Sequence, residues 1–256
     1  MQELYKSGRY FFAVTVIAFG IIQFISGNFM AGFLPVDEHL PGRRFFLYLV
    51  SIVFLAGGLA MLPVKTARRA YLLTGFIFLL LLIYPHLIQL LNDLHNPGPW
   101  TSTAETLAFC GGAFCIASGF IYSSSAKNSG PLFPKLLKTG SIFIAVSLVI
   151  FAVQHFMYAD FIATLIPSWI PLKLFWAYFV GAAFTATAIS ILINLKARLA
   201  CTLLGFMYLF WFIFLHAPRV MTDTHKEPEW TSMFIALGFS GIFFSLASHN
   251  SIKDND

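Results

Sequence analysis

Long uninterrupted apolar runs recur along the chain and are separated by short polar segments. A helix needs about 20 apolar residues to cross the ~30 Å hydrocarbon core of a bilayer. The runs are continuous rather than alternating, which excludes the strands of a transmembrane barrel. The pattern therefore predicts eight transmembrane helices at Tyr10–Ser26, Phe45–Leu62, Ala70–Leu91, Glu105–Tyr122, Thr139–Tyr158, Leu174–Ile193, Ala200–His216 and Thr231–Ser248.

The composition supports a membrane protein and excludes several other classes. Of the 256 residues, 58% are hydrophobic and only 11% are charged, whereas a soluble domain has about 45–50% and about 25%. A soluble domain, a disordered chain and a nucleic-acid-binding protein are therefore excluded, and the lipid bilayer is the expected partner. Cys110, Cys115 and Cys201 lie inside apolar runs, so we interpret them as small apolar residues rather than a disulfide framework.

The charges are distributed unequally between the two sides of the predicted bundle. The side that holds the N-terminus has 11 Lys and Arg against 3 acids, and the opposite side has 5 against 8, which together give the net charge of +5. Cytoplasmic loops of membrane proteins are enriched in Lys and Arg. Both termini are therefore expected in the cytoplasm. Six of the seven histidines lie on the opposite side, which we call the histidine side; these are His39, His86, His95, His155, His216 and His225.

The chain resembles itself after a shift of about half its length. A shift of 132 aligns Phe19, Phe24, Phe29, Ala31 and Pro35 with Phe151, Phe156, Phe161, Ala163 and Pro167. A shift of 130 aligns His86, Asp93, His95, Trp100, Thr101 and Ser102 with His216, Asp223, His225, Trp230, Thr231 and Ser232. Residues 86–102 and 216–232 are identical at six of 17 aligned positions, where composition alone predicts roughly one. The first span matches the fifth, so it is expected to be a retained helix rather than a signal peptide.

These alignments predict two parallel repeats of a four-helix unit. The fold is expected to be an all-α membrane fold of two four-helix bundles, related by a pseudo-two-fold axis along the membrane normal. The first repeat is predicted over residues 1–122 and the second over 139–256. Residues 123–138, which contain Ser, Gly and Pro, are the predicted cytoplasmic linker.

The second repeat carries three short sequences that resemble a known family. They are Gln154-His155-Phe156, Ala159-Asp160-Phe161 and Pro167-Ser168-Trp169-Ile170-Pro171. The repeat is similar to the DoxX-like family of four-span bacterial membrane proteins, and the first repeat departs from it with Gln23 and Asn28 in place of the His and the Asp. The resemblance implies a four-helix unit in the bacterial inner membrane and a membrane subunit associated with thiosulfate:quinone oxidoreduction.

Two polar groups are candidates for a ligand site on the histidine side. The pattern His-x6-Asp-x-His occurs in both repeats, as His86, Asp93 and His95 and as His216, Asp223 and His225. Gln23, Asn28, His155 and Asp160 form a second group at the ends of the first and fifth spans. Histidine and aspartate bind divalent metals and exchange protons, so a quinone head group or a divalent metal is the candidate ligand. The alternative is that these residues cap helix ends at the membrane interface.

Three functions remain open from the sequence. A membrane subunit for quinone-linked redox chemistry would have a soluble redox partner and an opening near the histidines. A small-molecule carrier or permease would have a cavity between the two repeats that reaches toward the midplane, and a non-catalytic scaffold would have a filled bundle. No Ser-His-Asp set, phosphate loop or CxxC pair is present, so no catalytic residues are identified and an enzymatic role stays open. Glu105 is expected in the first turn of the fourth span, where the helix dipole favours an acid.

Overall fold

The computed structural model describes residues 2–30, 32–123 and 132–253, and the secondary structure of these residues is helical. Two π-helical segments interrupt the third and seventh spans. The elements are α1 (Gln2–Ser26), α2 (Arg43–Met61), α3 (Val64–Leu81), π1 (Leu82–Leu87), α4 (Ile88–Asn92), α5 (Pro97–Ser123), α6 (Leu132–Met157), α7 (Ala159–Leu165), α8 (Lys173–Ile193), α9 (Ala197–Phe210), π2 (Trp211–His216), α10 (Ala217–Thr222) and α11 (Glu227–Lys253).

The prediction of an all-α membrane protein is confirmed. In the described part of the chain, eight helical stretches are long and apolar enough to cross a membrane. Each overlaps one of the predicted spans. Their bounds are Lys6–Ser26, Arg43–Met61, Val64–Asn92, Pro97–Phe120, Pro134–Met157, Lys173–Ile193, Ala197–Thr222 and Glu227–Ser248.

The largest differences from the predicted bounds lie at helix starts. The fourth span begins at Pro97 rather than at Glu105, because a proline in the first turn suits a helix start and needs no hydrogen-bond partner. Helix α6 begins at Leu132, inside the segment predicted as a linker. Residues 124–131 of that segment lie outside the described part of the chain.

The helices pack as one bundle with α5 and α11 at its centre. These two spans are the most buried, at 72% and 78%. Helix α1 packs on α2 and α11, while α6 packs on α8 and α5. The outer helices α3 and α9 pack on α5 and α11 respectively, and α5 also packs on α11. We call residues up to Ser123 the first half and residues from Leu132 the second half; the two halves share a single hydrophobic core.

Glycines bring the central helices close to their neighbours. A Cβ atom on Gly111 of α5 would lie 2.5 Å from the carbonyl oxygen of Gly140 on α6. A Cβ atom on Gly241 of α11 would lie equally close, 2.5 Å, to the carbonyl oxygen of Gly8 on α1. Both crossings therefore require glycine, as small residues at membrane helix contacts generally allow backbones to approach. The α5–α6 crossing holds α5 against the second half.

Candidate functional site

A partly open cavity of about 630 Å³ lies in the second half rather than between the two repeats. Its walls come from α6, α7, α8, α9, π2 and α11, and the first turns of α5 close one side. We call five of its aromatic lining residues the inner wall: Phe151, Phe184, Tyr208, Trp211 and Phe239. A volume of this size is typical of sites that bind small organic molecules.

The corresponding space in the first half is filled by the segment that follows α1. Phe33 is only 1% exposed, and its ring centroid lies 4.7 Å from that of Phe19 and 5.4 Å from that of Phe109. Phe29, Met30 and Leu34 are buried beside it. This segment therefore plugs the first half from the histidine side.

The matching segment of the second half is a short helix at the surface. Phe161 and Leu165 of α7, which align with Phe29 and Phe33, are 63% and 44% exposed. The guanidinium of Arg219 donates a hydrogen bond to the carbonyl oxygen of Leu165, at the end of α7. Because α7 packs on α6 and α8 instead of entering the bundle, the interior of the second half remains open.

The cavity extends from the histidine side toward the middle of the spans. Glu105 lies eight residues after Pro97, the first residue of α5, which at 1.5 Å per residue is about 12 Å along the helix. Phe239 lies twelve residues after Glu227, or about 18 Å along α11. The cavity is therefore deep enough to place a ligand among apolar side chains rather than at the membrane surface.

One carboxylic acid, Glu105, and two imidazoles, His155 and His216, line this largely aromatic space. Within the described residues, no hydrogen bond or ion pair reaches the Glu105 carboxyl group. Nδ1 of His216 is buried without a hydrogen-bond partner. No Lys or Arg lines the cavity, so its fixed charge is acidic or neutral.

The tautomer of His155 follows from its contacts. Its Nδ1 lies 2.8 Å from the carbonyl oxygen of Phe151, and a carbonyl oxygen only accepts, so Nδ1 carries the proton. The imidazole ring stands at 90° to the ring of Phe184, with the centroids 5.0 Å apart. His155 therefore keeps Nε2 as a hydrogen-bond acceptor at the cavity wall.

The inner wall is an ordered group of rings. Tyr208 stacks on Phe239 with centroids 4.8 Å apart and on Phe184 with centroids 6.0 Å apart. Trp211 meets Tyr208 at 72° and a centroid distance of 5.0 Å. These contacts fix the rings against one another, so the wall is preformed.

The structure separates the members of the predicted His-Asp-His pattern. His86 is buried, and its Nε2 lies 2.9 Å from the hydroxyl oxygen of Thr106. Asp93 and His95 follow the end of α4 and are exposed. In the first half, therefore, the buried histidine and the exposed pair do not form one open site.

In the second half, His216 lines the cavity while Asp223 and His225 lie outside it. The Asp223 carboxylate accepts a hydrogen bond from the backbone N–H of His225 at 3.1 Å and pairs with Lys226 at 3.4 Å. Asp223 thus ends a helix and orders the following turn, which is the capping role considered as the alternative.

Of the second predicted group, only His155 lines the cavity. Gln23 is buried and donates to the carbonyl oxygen of Leu47 and to the hydroxyl of Ser51, both at 3.1 Å. Asn28 donates to the carbonyl oxygen of Ser26 at 3.3 Å. Asp160 is exposed in the first turn of α7. None of these three side chains lines the cavity, whereas His155, at the position matched to Gln23, does.

Glu105 lines the cavity and lies deeper in its helix than the sequence pattern predicts. Its expected location in the first turn of a helix is wrong, because α5 begins at Pro97 and Glu105 lies more than two turns inside it. The signal for the correct position is Pro97 itself, together with Pro99, since prolines are favoured in the first turn of a helix. An acid at that depth is a functional candidate.

A metal centre is not assembled by the residues that the structure describes. They contain no group of three or more His, Cys, Asp or Glu side chains placed to hold a metal ion. The three cysteines are buried and unpaired.

Comparisons with protein families, with curated proteins and with solved structures find no match to this chain.

Proposed function

We propose that this chain is an integral membrane protein that carries a small, largely apolar molecule, which it binds in the cavity of its second half. The cavity carries the proposal: it has a volume of about 630 Å³, begins at the histidine side and reaches the middle of the spans. A carrier needs such a site, whereas a scaffold gains nothing from an unfilled interior, because unfilled space forfeits packing contacts.

The mouth of the cavity favours entry from the bilayer. Phe161 and Leu165 of α7 line the cavity and are also exposed on the bundle surface. An apolar molecule dissolved in the membrane would meet these side chains before it reached Tyr208. The hydrogen bond from Arg219 to Leu165 holds α7 in this position.

A quinone-linked membrane subunit is the second candidate, favoured by the neutral donors of the inner wall. A quinone ring is flat and apolar, and its carbonyl oxygens accept hydrogen bonds. The Tyr208 hydroxyl and the Trp211 indole N–H both belong to side chains that line the cavity. In this second candidate function, the bound quinone exchanges electrons with a soluble redox partner.

The wider architecture belongs to the same proposal. We infer a tandem duplication of a DoxX-like four-helix unit, supported by the six identities between residues 86–102 and 216–232 and by the same order of spans in both halves. Both termini lie in the cytoplasm of a bacterium, supported by the excess of Lys and Arg on that side. Protease digestion of a C-terminal tag in sealed inverted membrane vesicles tests this orientation; protection of the tag would contradict it.

Native mass spectrometry of the detergent-purified protein tests the main proposal. The wild-type protein should retain a small molecule, whose mass and absorption spectrum separate a quinone from other compounds. Ala236→Phe should abolish retention, because Ala236 lines the cavity and is only 2% exposed, so a phenyl ring there would occupy the ligand space.

Ile189→Phe is the matched control, because Ile189 lies on α8 with 51% exposure and does not line the cavity. This variant should retain the molecule. If the wild-type protein carries nothing even after incubation with extracted membrane lipids, or if Ala236→Phe retains as much as the wild type, the proposed function is wrong.

A further inference from the structure

Glu105 is an acid placed where the fold offers it no compensating charge. It lies about 12 Å along α5, and it lines an aromatic cavity that contains no Lys or Arg. An ionised carboxylate costs a great deal of free energy in such surroundings unless a positive charge or several hydrogen-bond donors accompany it. Arg219 of α10 does not line the cavity, and its guanidinium donates to the carbonyl oxygen of Leu165.

The walls around Glu105 are of the kind that attracts cations. Aromatic faces carry partial negative charge and bind ammonium-type groups, most strongly when water is excluded. Tyr208 lines the same cavity as Glu105, and it packs among Phe184, Trp211 and Phe239. His155, whose Nδ1 donates to the carbonyl oxygen of Phe151, adds an Nε2 acceptor to the lining.

From these observations, we propose that the cavity binds lipophilic organic cations, with the Glu105 carboxylate pairing with the positive centre and the aromatic wall enclosing its apolar substituents. This inference rests on the proposed function and names its substrate class. A quaternary ammonium or phosphonium centre with bulky apolar groups satisfies both features, because it brings a charge that needs no hydrogen-bond acceptor. The cavity volume suits a ligand of drug size.

An anion of the same shape should be rejected by this arrangement. A negative ligand would add a second unpaired charge next to Glu105, in a space with no basic side chain. A neutral ligand would fill the space but offer the Glu105 carboxyl group no opposite charge. Charge, rather than size, is therefore expected to decide which apolar molecules bind.

Tetraphenylphosphonium and tetraphenylborate test this inference, because they have nearly the same shape and opposite charges. Equilibrium dialysis against the full-length protein in detergent, with protein-free micelles as background, measures both affinities. The wild-type protein should bind tetraphenylphosphonium saturably and at least about tenfold more tightly than tetraphenylborate. Glu105→Gln should weaken tetraphenylphosphonium binding by about tenfold or more, since it removes the charge and keeps the shape.

Glu38→Gln is the matched control, because Glu38 is an exposed acid on the same predicted side and lies outside the cavity. It should leave the affinity unchanged. Glu105→Asp keeps the charge and should retain the preference for the phosphonium ion, which separates loss of charge from misfolding. Size-exclusion chromatography of each variant reports its folding.

The possible outcomes separate this inference from the proposed function. Equal binding of tetraphenylphosphonium, tetraphenylborate and the neutral triphenylphosphine oxide, with loss of all three in Ala236→Phe, would overturn the cation class and leave the carrier proposal standing. Undiminished phosphonium binding by Glu105→Gln would likewise overturn the role of Glu105. Absence of phosphonium binding to the wild type would overturn the inference outright, and the retention experiment above would then decide the function separately.

Discussion

The two halves of the molecule differ most in the segments between their first and second spans. In the first half, Phe33 enters the bundle and packs against Phe19 and Phe109, whereas its counterpart Leu165 lies at the surface of the second half. The helices around these segments occur in the same order. A cavity can therefore be opened or closed by a short connection, without any change in the spans that surround it.

The largest effect on stability is expected from removing the Phe33 side chain, which fills the interior of the first half. Phe33→Ala should lower the free energy of unfolding by about 3–5 kcal/mol, because a buried aromatic side chain is lost and a void remains. Leu165→Ala should change it by less than about 1 kcal/mol, because its side chain is half exposed. Denaturation in mixed detergent micelles measures both. Equal losses at the two positions would contradict the contrast between the halves.

The glycine crossings should show where the halves are alike. Gly111→Ala and Gly241→Ala should each cost about 1–3 kcal/mol, because a methyl group at either position meets a backbone carbonyl oxygen of the neighbouring helix. Gly32→Ala is the control, since no atom lies within 4 Å of the added group. Thermal unfolding of the three variants checks this expectation, and a clear difference between Gly111→Ala and Gly241→Ala would show that the two crossings are not equivalent.

The last comparison concerns the two matched histidines, and its Ala236→Thr variant has the smallest expected effect. Thr106→Val should cost about 1–3 kcal/mol by leaving Nε2 of the buried His86 without a partner. Thr106 aligns with Ala236, so Ala236→Thr offers His216 a similar partner and should gain about 0.5–1.5 kcal/mol. Thermal unfolding measures both changes in stability. If Ala236→Thr destabilises the protein, the environments of His86 and His216 differ by more than this hydroxyl.

The spans could be predicted from the sequence because hydrophobicity over about 20 residues is a strong signal in lipid. The eight predicted segments all correspond to helices in the described part of the chain. Their starts were less accurate, since Pro97 and Glu227 begin helices in segments that resemble loops. The error at α5 mattered most, because it placed Glu105 at the membrane surface instead of inside the bundle.

The cavity could not be predicted from the same pattern. Phe29 and Phe161 are identical residues at matched positions, yet one is 4% and the other 63% exposed. Hydrophobicity does not distinguish them, because an apolar side chain is about equally stable in contact with lipid and in the interior of a bundle. Packing of the whole segment decides the outcome, with Arg43 lying 5.3 Å over the ring of Phe29 in one half and Arg219 bonded to the end of α7 in the other.

The position of α5 and α11 at the centre has a consequence for any shorter form of this protein. Each half contributes one central helix, and α1 and α6 rest on the central helix of the opposite half. A fragment with only four spans would expose those helix faces to lipid, and it could cover them only by associating with a second fragment. Under the proposed duplication, a single-copy ancestor would have worked as a symmetric dimer with a self-complementary interface. Fusion into one chain would then have allowed the two proposed copies to diverge, one toward a filled interior and one toward an open one.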